Sequence, residues 1–416
     1  MQLNHGLHFT YCTNVHRGEN WPETFHGLDQ YTLAVRRKVG TSATFGIGLR
    51  LSAQAAQELA ESHNLRAFQR WLDQHGCYVF TLNGFPYGRF HGGRVKEQVF
   101  APDWSTRERL DYTKLLFDLL VQLLPPDVEG SVSTLPGSFK EFVFGPESSS
   151  CPSSKLAAIR NHLWSCVEHV ARLSERTGRK LHLGVEPEPL GLFENSTETV
   201  EFFGALREEH PNDPRLDVHL GVNYDACHFA LQYESAREAM ERFRRHDIKI
   251  SKLHLSSALK VRPTPEVCAA LRAFADDVYL HQVIARAPDG TLTRYKDLPL
   301  ALEKLGSGIM PASNHQPSTT NQPEWRIHFH IPLHTPAASV QEDARGGSPL
   351  FNNTTDHLLE LLDVLGENPK LCPHLEFETY TWEVLPPELR NENVVAQLVR
   401  EYDWCSEELK RRSLAP

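Results

Sequence analysis

The chain contains 416 residues, of which 40% are hydrophobic and 23% are charged, and its formal net charge is −10. These proportions are those of an ordinary soluble globular protein, and the acidic balance provides no basic face for nucleic acid, so we expect a small-molecule partner. No segment reaches the ~18 apolar residues of a membrane helix, and the N-terminus, MQLNHGLHFTYCTN, lacks the apolar core of a signal peptide. We therefore expect a cytoplasmic protein without a membrane span.

The eight cysteines exclude two further classes of protein. They are scattered along the chain and form no CxxC pair. This spacing argues against a disulfide framework and against a zinc site made of cysteines.

Strand-like and helix-like segments alternate through the first 257 residues. The helical pattern at 155–173, for example, repeats apolar side chains with a period of about 3.6 residues. Such alternation implies βαβ units and a parallel sheet. Seven units with an eighth expected predict an α/β fold, a (β/α)8 TIM barrel formed by a single domain, 1–416. The predicted strands are 7–14, 44–52, 77–85, 130–139, 181–188, 216–225 and 248–257.

The alternation of strands and helices breaks after residue 257. Residues 278–298 have the pattern of a hairpin around the turn APDG, and two loops rich in Pro, Ser, Gly and Asn follow. Two further predicted strands, at 325–334 and 374–382, make one strand too many for an eight-stranded barrel. We therefore expect long insertions near the late strands, as an excursion at about 258–350 on the C-terminal face of the barrel. Which of the two late strands closes the barrel is left open.

Carboxylate and imidazole side chains recur where the predicted strands end. In a barrel these ends converge on one rim, and that rim carries the active site in essentially all such enzymes. Several carboxylates without a cation would repel one another, so we predict a divalent metal ion, namely Mn, Zn, Co or Fe. Each residue taken singly also has a structural interpretation; Asp225, for example, could be only a helix N-cap. The side chains are Glu186, Glu188, Asp225, His228, His254, His328, His330, Glu376 and Glu378.

Further polar residues near predicted strand ends are candidates for substrate binding. Among them, Arg50 could bind an anion through its planar guanidinium or form only a salt bridge. The candidates are Asn14, His16, Arg50, Asn83, His91, His281 and His328.

The order of these residues resembles that of a known superfamily. The motifs LGVEPE, DACH, KLHLS and FETYT are similar, in this order, to the ligand pattern of the xylose-isomerase-like TIM barrels, which include sugar isomerases, sugar epimerases and endonuclease IV. The segments TYCTNVH, FGIGLRLS, FTLNGFPYG, STLPGSFK, EPEPLGLFEN and ETYTW more closely resemble the metabolite-traffic protein EboE family over essentially the whole chain. That family belongs to a bacterial gene cluster for the handling of secondary-metabolite precursors.

The resemblance implies roles for individual residues. Glu186, Asp225, His254 and either Glu376 or, preferably, Glu378 would hold the metal ion. His228 would touch the substrate or a second metal ion, and the histidines of RIHFHIPLH, including His330, resemble extra ligands of the nuclease. Two carboxylates would exchange a proton at a carbon beside a carbonyl, while Glu188 would be free to act as a base. The catalytic candidates are thus Glu186, Glu188, His228 and Glu378.

Three functions are compatible with these residues. The leading hypothesis is a metal-dependent isomerase or epimerase that acts on a polyhydroxylated small molecule of sugar or cyclitol type. The second is a metal-dependent phosphodiester hydrolase of endonuclease IV type, favoured by the additional histidines and disfavoured by the acidic chain. The third is a non-catalytic metabolite-binding protein, which the fold alone does not exclude. The number of bound metal ions distinguishes the first two, and proton exchange with solvent distinguishes the first from the third.

Overall fold

The computed structural model describes residues 1–40, 44–146, 151–306, 323–335, 351–385, 390 and 392–416. Thirteen strands lie within these ranges and form two sheets. They are β1 (His8–Tyr11), β2 (Phe45–Arg50), β3 (Cys77–Asn83), β4 (Gly130–Thr134), β5 (Leu181–Val185), β6 (Leu220–Asp225), β7 (Lys249–Leu255), β8 (Ala258–Val261), β9 (Val283–Arg286), β10 (Leu292–Tyr295), β11 (Glu324–His330), β12 (Asn352–Asn353) and β13 (His374–Phe377).

The larger sheet is a nearly closed barrel. Its eight strands follow the order β1-β13-β7-β6-β5-β4-β3-β2, and every neighbouring pair is parallel. The two end strands also meet, because Cys12 forms a parallel bridge with Gly48 and Thr10 Oγ1 donates a hydrogen bond to Gly46 O at 2.7 Å. The predicted eight-stranded α/β barrel is confirmed.

Helices connect the strands and cover the barrel. Asn195 begins one helix by accepting a hydrogen bond from Glu198 N at 2.9 Å, and Ser52 begins another by accepting from Ala55 N at 3.0 Å. No helix in the described ranges is both long and apolar enough to cross a membrane. The α-helices are α1 (Trp21–Gly27), α2 (Leu33–Val39), α3 (Ala53–Leu59), α4 (Ser62–Gln74), α5 (Arg107–Leu123), α6 (Lys140–Phe144), α7 (Pro152–Thr177), α8 (Ser196–Glu209), α9 (Arg215–His219), α10 (Ala226–Leu231), α11 (Ala236–Arg245), α12 (Pro265–Leu271), α13 (Leu298–Gly306), α14 (Thr355–Glu367) and α15 (Val394–Arg411).

The smaller sheet follows β7 and is antiparallel. Its order is β10-β9-β11-β8-β12, and it has its own apolar core, which includes Phe274, Trp325 and Phe329. The first late strand, β11, lies in this sheet, whereas β13 pairs with β1 and β7 and closes the barrel. Most of the two predicted loops, 306–325 and 335–349, falls outside the described residues.

Three buried histidines lie at the amino-terminal end of the barrel strands. His8 Nδ1 is 2.8 Å from Tyr78 Oη, and the rings of His182 and His374 stack with their centroids 5.4 Å apart. Burial lowers the pKa of His8 and of His182 to about 4. These imidazoles are therefore neutral near pH 7.

Candidate metal centre

Four side chains meet at the carboxyl end of the barrel. Glu186 follows β5, Asp225 ends β6, His254 lies in β7 and Glu378 follows β13. One ligand atom from each lies within 4.8 Å of those of the other three. All four residues are buried, and the most exposed, Glu378, retains 5% of its accessible surface. We call this group the four-residue centre.

His254 lies among the three carboxylates. Its Nδ1 is 3.3 Å from Glu186 Oε1 and 3.4 Å from Glu378 Oε2. The same nitrogen is 3.6 Å from Asp225 Oδ2. One imidazole nitrogen thus faces one oxygen of every acid in the centre.

Asp225 is both a helix cap and a member of the centre. Its Oδ1 accepts hydrogen bonds from His228 N at 3.0 Å and from Ser256 Oγ at 2.7 Å, which begins α10. Its Oδ2 is buried and has no hydrogen-bond partner in the described part of the chain. The two interpretations of this residue are therefore compatible, because each uses a different oxygen.

Neighbouring amides orient the two glutamates. Asn223 Nδ2 donates a hydrogen bond to Glu186 Oε2 at 2.8 Å. Asn14 Nδ2 donates to Glu378 Oε1 at 2.6 Å, and Asn83 Nδ2 lies 3.3 Å from the same oxygen. Each glutamate is left with its other oxygen directed towards His254.

The charges in the centre are unbalanced. Burial lowers the pKa of His254, but the carboxylates, Glu378 foremost, outweigh burial and raise this pKa well above its ordinary value. Even an imidazolium leaves three carboxylates with a surplus of negative charge, which is expensive in a buried site. A divalent cation would balance it, and three oxygen donors with one nitrogen donor suit Mn, Co, Fe or Zn. The orphaned Asp225 Oδ2 and this donor set fit such an ion.

Glu376, a predicted ligand, lies outside the four-residue centre. Its Oε2 accepts hydrogen bonds from Lys252 Nζ at 2.7 Å and from His254 Nε2 at 2.9 Å. Burial raises its pKa, but Lys252 and His254 outweigh burial and lower the pKa to about 2. The two acids of the FET segment therefore have different environments: Glu376 forms an ion pair with Lys252, whereas Glu378 belongs to the four-residue centre.

A second group able to hold a metal ion contains Glu188, His228 and His328. His228 Nδ1 is 3.1 Å from Pro187 O, and His328 Nδ1 is 2.7 Å from Gln282 Oε1. Both Nδ1 atoms face oxygen acceptors and therefore carry protons. The two Nε2 atoms lie 3.1 Å apart, close enough for a shared proton or for both to bind one cation.

Glu188 of the second group has a neighbour in His330, which forms a further group with Asp225 and His228. Burial and the charges of Glu186 and Asp225 raise the pKa of Glu188 well above its ordinary value, and Glu188 Oε2 has no hydrogen-bond partner among the described residues. His330 Nδ1 is 2.8 Å from Glu378 O, and its buried Nε2 likewise has no such partner there. Both side chains retain a free polar atom.

A narrow cleft opens onto the two groups. Its polar end contains the predicted residues Glu186, Glu188, His228, His328 and Glu378, together with Asn14 and Asn83. The rest of its wall is mostly apolar and aromatic, apart from Lys96 and Gln282, and most of these residues come from loops that carry no periodic sequence pattern. In the sequence, only the long connections after β3 and β8 indicated that such loops exist. The apolar and aromatic wall residues are Phe85, Pro86, Phe90, Val95, Val99, Phe100, Tyr279, Leu280 and Tyr380.

Four predicted substrate-binding residues do not line this cleft. Arg50 is buried and donates hydrogen bonds to Gly18 O and Gly88 O, with a salt bridge of 3.4 Å to Glu19. The guanidinium is thus occupied by the protein itself. The other three are histidines with protein partners of their own. His16 stacks on Tyr31, His91 lies 4.0 Å from Glu19, and His281 lies 2.5 Å from Asp276.

The comparisons with known proteins found similar solved structures but no family. No family model matches the chain, and no curated protein matches it. A solved L-ribulose 3-epimerase has a TM-score of 0.47 at 10% identity, covering 97% of this chain and 94% of its own. The IolI protein with a bound zinc atom has a TM-score of 0.46 at 12% identity, with coverages of 97% and 98%. A xylose isomerase domain-containing protein from Salmonella typhimurium LT2 has a TM-score of 0.41 at 13% identity, with coverages of 99% and 99%.

The strand order of the chain itself shows the eight-stranded parallel barrel. Likenesses at these identities and TM-scores assign no superfamily to the chain, and its function has to follow from the geometry of the site. The finer resemblance to the EboE family stays a prediction, since no family model matches.

Proposed function

We propose that the protein is a metal-dependent isomerase or epimerase of a polyhydroxylated small molecule. The observation that carries this proposal is the four-residue centre, in which ligand atoms from four barrel strands lie within 4.8 Å of one another at the floor of a cleft. In this proposal Glu186, Asp225, His254 and Glu378 hold the ion. When bound, the ion would polarise a carbonyl or hydroxyl oxygen of the substrate.

The proton transfer is assigned to the acids that border the cleft. One carboxylate takes a proton from a carbon beside a carbonyl. In an epimerase a second acid returns a proton to the opposite face of the same carbon, and in an isomerase the proton goes to the neighbouring carbon. Glu188 suits this role because its Oε2 has no hydrogen-bond partner among the described residues, and burial raises its pKa and so favours a carboxyl group that can hold a proton. Glu186 and Glu378 are the other candidates, and His228 positions a substrate oxygen.

The shape of the cleft supports a small ligand of sugar or cyclitol type. Its acids and amides can accept and donate hydrogen bonds to several hydroxyl groups, while the aromatic wall can pack on the C–H face of a ring. A role in secondary-metabolite precursors and a cytoplasmic location are the finer parts of the proposal and rest on the sequence resemblance and composition.

The smaller sheet is part of the same proposal. β11 contributes His328 and His330 to groups that also contain barrel residues. We therefore propose one domain, 1–416, in which the excursion at about 258–350 completes the site.

Solvent exchange tests the catalytic proposal. Protein loaded with Mn²⁺ is incubated in D2O with a panel of ketohexoses and keto-inositols, and deuterium at the carbon beside the carbonyl is measured by NMR. We expect exchange into at least one compound, and no exchange with Asp225→Ala. Tight binding of a panel member without any exchange would instead indicate a binding protein.

The facing imidazoles favour a second candidate, a phosphodiester hydrolase with more than one metal ion. His228 Nε2 and His328 Nε2 lie 3.1 Å apart beside Glu188, a separation at which both nitrogens can bind one ion, so a second ion fits there. Metal analysis distinguishes the candidates. One equivalent with no cleavage of bis(p-nitrophenyl) phosphate supports the isomerase, whereas two equivalents with cleavage support the hydrolase.

A further inference from the structure

A buried ion pair lies directly beneath the four-residue centre. Lys252 of β7 and Glu376 of β13 are on neighbouring strands and have 0% exposed surface. Lys252 Nζ is 2.7 Å from Glu376 Oε2 and 3.0 Å from Ser133 Oγ of β4. The pair therefore spans the interior of the barrel.

The same oxygen of Glu376 also contacts the imidazole of the centre. His254 Nε2 lies 2.9 Å from Glu376 Oε2, while His254 Nδ1 faces Glu186, 3.3 Å away. An ionised carboxylate can only accept, so the proton of the imidazole stays on Nε2. Nδ1 is then the nitrogen that can present a lone pair to a metal ion.

The barrel leaves room for this carboxylate at one position of β2. A Cβ atom at Gly48 would lie 1.7 Å from Glu376 Oε1, which is far inside a van der Waals contact. Any larger side chain at residue 48 would displace the carboxylate. Gly48 therefore provides the space that the Glu376 carboxylate occupies.

A purely stabilising role does not explain this arrangement. A buried ion pair is often no more stable than apolar residues of similar volume, because both charges must be removed from water. Contact with His254 explains why Glu376 is a charged residue. A carboxylate that accepts a hydrogen bond from a metal-binding imidazole fixes the orientation and the tautomer of that imidazole.

We propose that Glu376, held in place by Lys252, is a positioning residue that keeps His254 Nδ1 directed at the metal centre. This inference rests on the proposed metal site and adds the residues that orient its single imidazole. It also assigns Glu376 a role other than that of a ligand.

Two double variants isolate the acceptor from the ion pair. Lys252→Met with Glu376→Leu removes both charges and leaves His254 Nε2 without an acceptor. Lys252→Met with Glu376→Gln removes the same charges but keeps an oxygen for that nitrogen. The two proteins differ mainly in the hydrogen bond to His254, so thermal melting without metal should give similar midpoints for both.

The measurement is the affinity for Co²⁺, obtained by competition with a chromophoric chelator, together with the visible absorption bands of the bound ion. Loss of an outer partner of a ligating histidine commonly weakens metal binding about 10–100-fold. We expect the Leu double variant to bind Co²⁺ at least about tenfold more weakly than the Gln double variant, with altered bands. Glu194→Gln is the matched control, because Glu194 is a buried acid that pairs with Lys140 rather than with the centre.

The outcomes separate this inference from the proposed function. Equal affinities and equal spectra for the two double variants would overturn the positioning role, while loss of Co²⁺ in Asp225→Ala would still support the metal site. No Co²⁺ binding by the natural sequence would overturn both.

Discussion

Glu401 provides a test of stability that is independent of any bound metal. It lies in α15, has 0% exposed surface, and accepts hydrogen bonds through Oε1 from Leu333 N at 3.0 Å and Thr379 Oγ1 at 2.6 Å. Burial outweighs these bonds and raises the pKa of this carboxyl from 4.5 to about 7. We expect Glu401→Gln to stabilise the protein at alkaline pH.

The sign follows from proton binding. Between pH 4.5 and about 7 the folded protein holds a proton on Glu401 that the unfolded chain releases, so stability falls as pH rises through this range and is constant above it. The full effect is about 3 kcal/mol, since one pKa unit corresponds to about 1.4 kcal/mol. Glutamine removes this dependence and keeps the acceptor oxygen for Leu333 and Thr379.

Urea denaturation at about pH 5.5 and about pH 8.5 measures the effect, and the advantage of Glu401→Gln over the natural sequence should grow by about 2 kcal/mol between them. Glu201→Gln is the control, because Glu201 is an exposed acid on α8 whose replacement should leave the pH dependence unchanged. An advantage of the same size at both pH values would refute the reasoning, since it would show that the carboxyl is ionised throughout.

Further predictions concern the site and the base of the barrel. Asp225→Ala should lower the metal content measured by mass spectrometry, whereas His334→Ala, outside both groups, should leave it unchanged. Glu186→Gln should lose metal, while Glu188→Gln should keep metal and weaken ligand binding or turnover; equal metal loss in both would contradict this division. Because the pKa of His182 is lowered from 6.5 to about 4, stability should fall as pH drops through that interval, and by about 3 kcal/mol less in His182→Gln, measured by acid denaturation.

The fold was largely predictable because parallel barrels repeat one pattern. Each barrel strand is buried and each connection carries a helix, so the alternation of segments was sufficient to predict the eight-stranded sheet. The choice between β11 and β13 was not available from sequence, because both are short, apolar and rich in charged or imidazole side chains. Only strand pairing, which depends on distant residues, distinguishes them.

Part of the candidate site was also predictable from the sequence. Strand ends converge in a barrel, so Glu186, Asp225, His254 and Glu378 were among nine side chains expected at one rim. Their selection as ligands depended on the resemblance to a known superfamily. The environment of Glu376 could not be predicted, because its partner Lys252 lies on another strand and has no signature in the sequence. The aromatic wall was missed for the same reason, since loops bring its residues together without a periodic pattern.

The barrel and the smaller sheet position different residues of the site. The ligand atoms of the four-residue centre come from the barrel strands or the residues that directly follow them, and they are fixed by the parallel hydrogen bonds of the sheet. His328 instead reaches His228 from β11, which pairs with β8 and β9 outside the barrel. His330 of the same strand lies 2.8 Å from Glu378 O, so a displacement of that sheet would change the 3.1 Å separation of the two imidazoles and would also reach one glutamate of the four-residue centre. The barrel strands therefore position Glu186, Asp225 and His254, while the smaller sheet contacts the proposed metal site through Glu378.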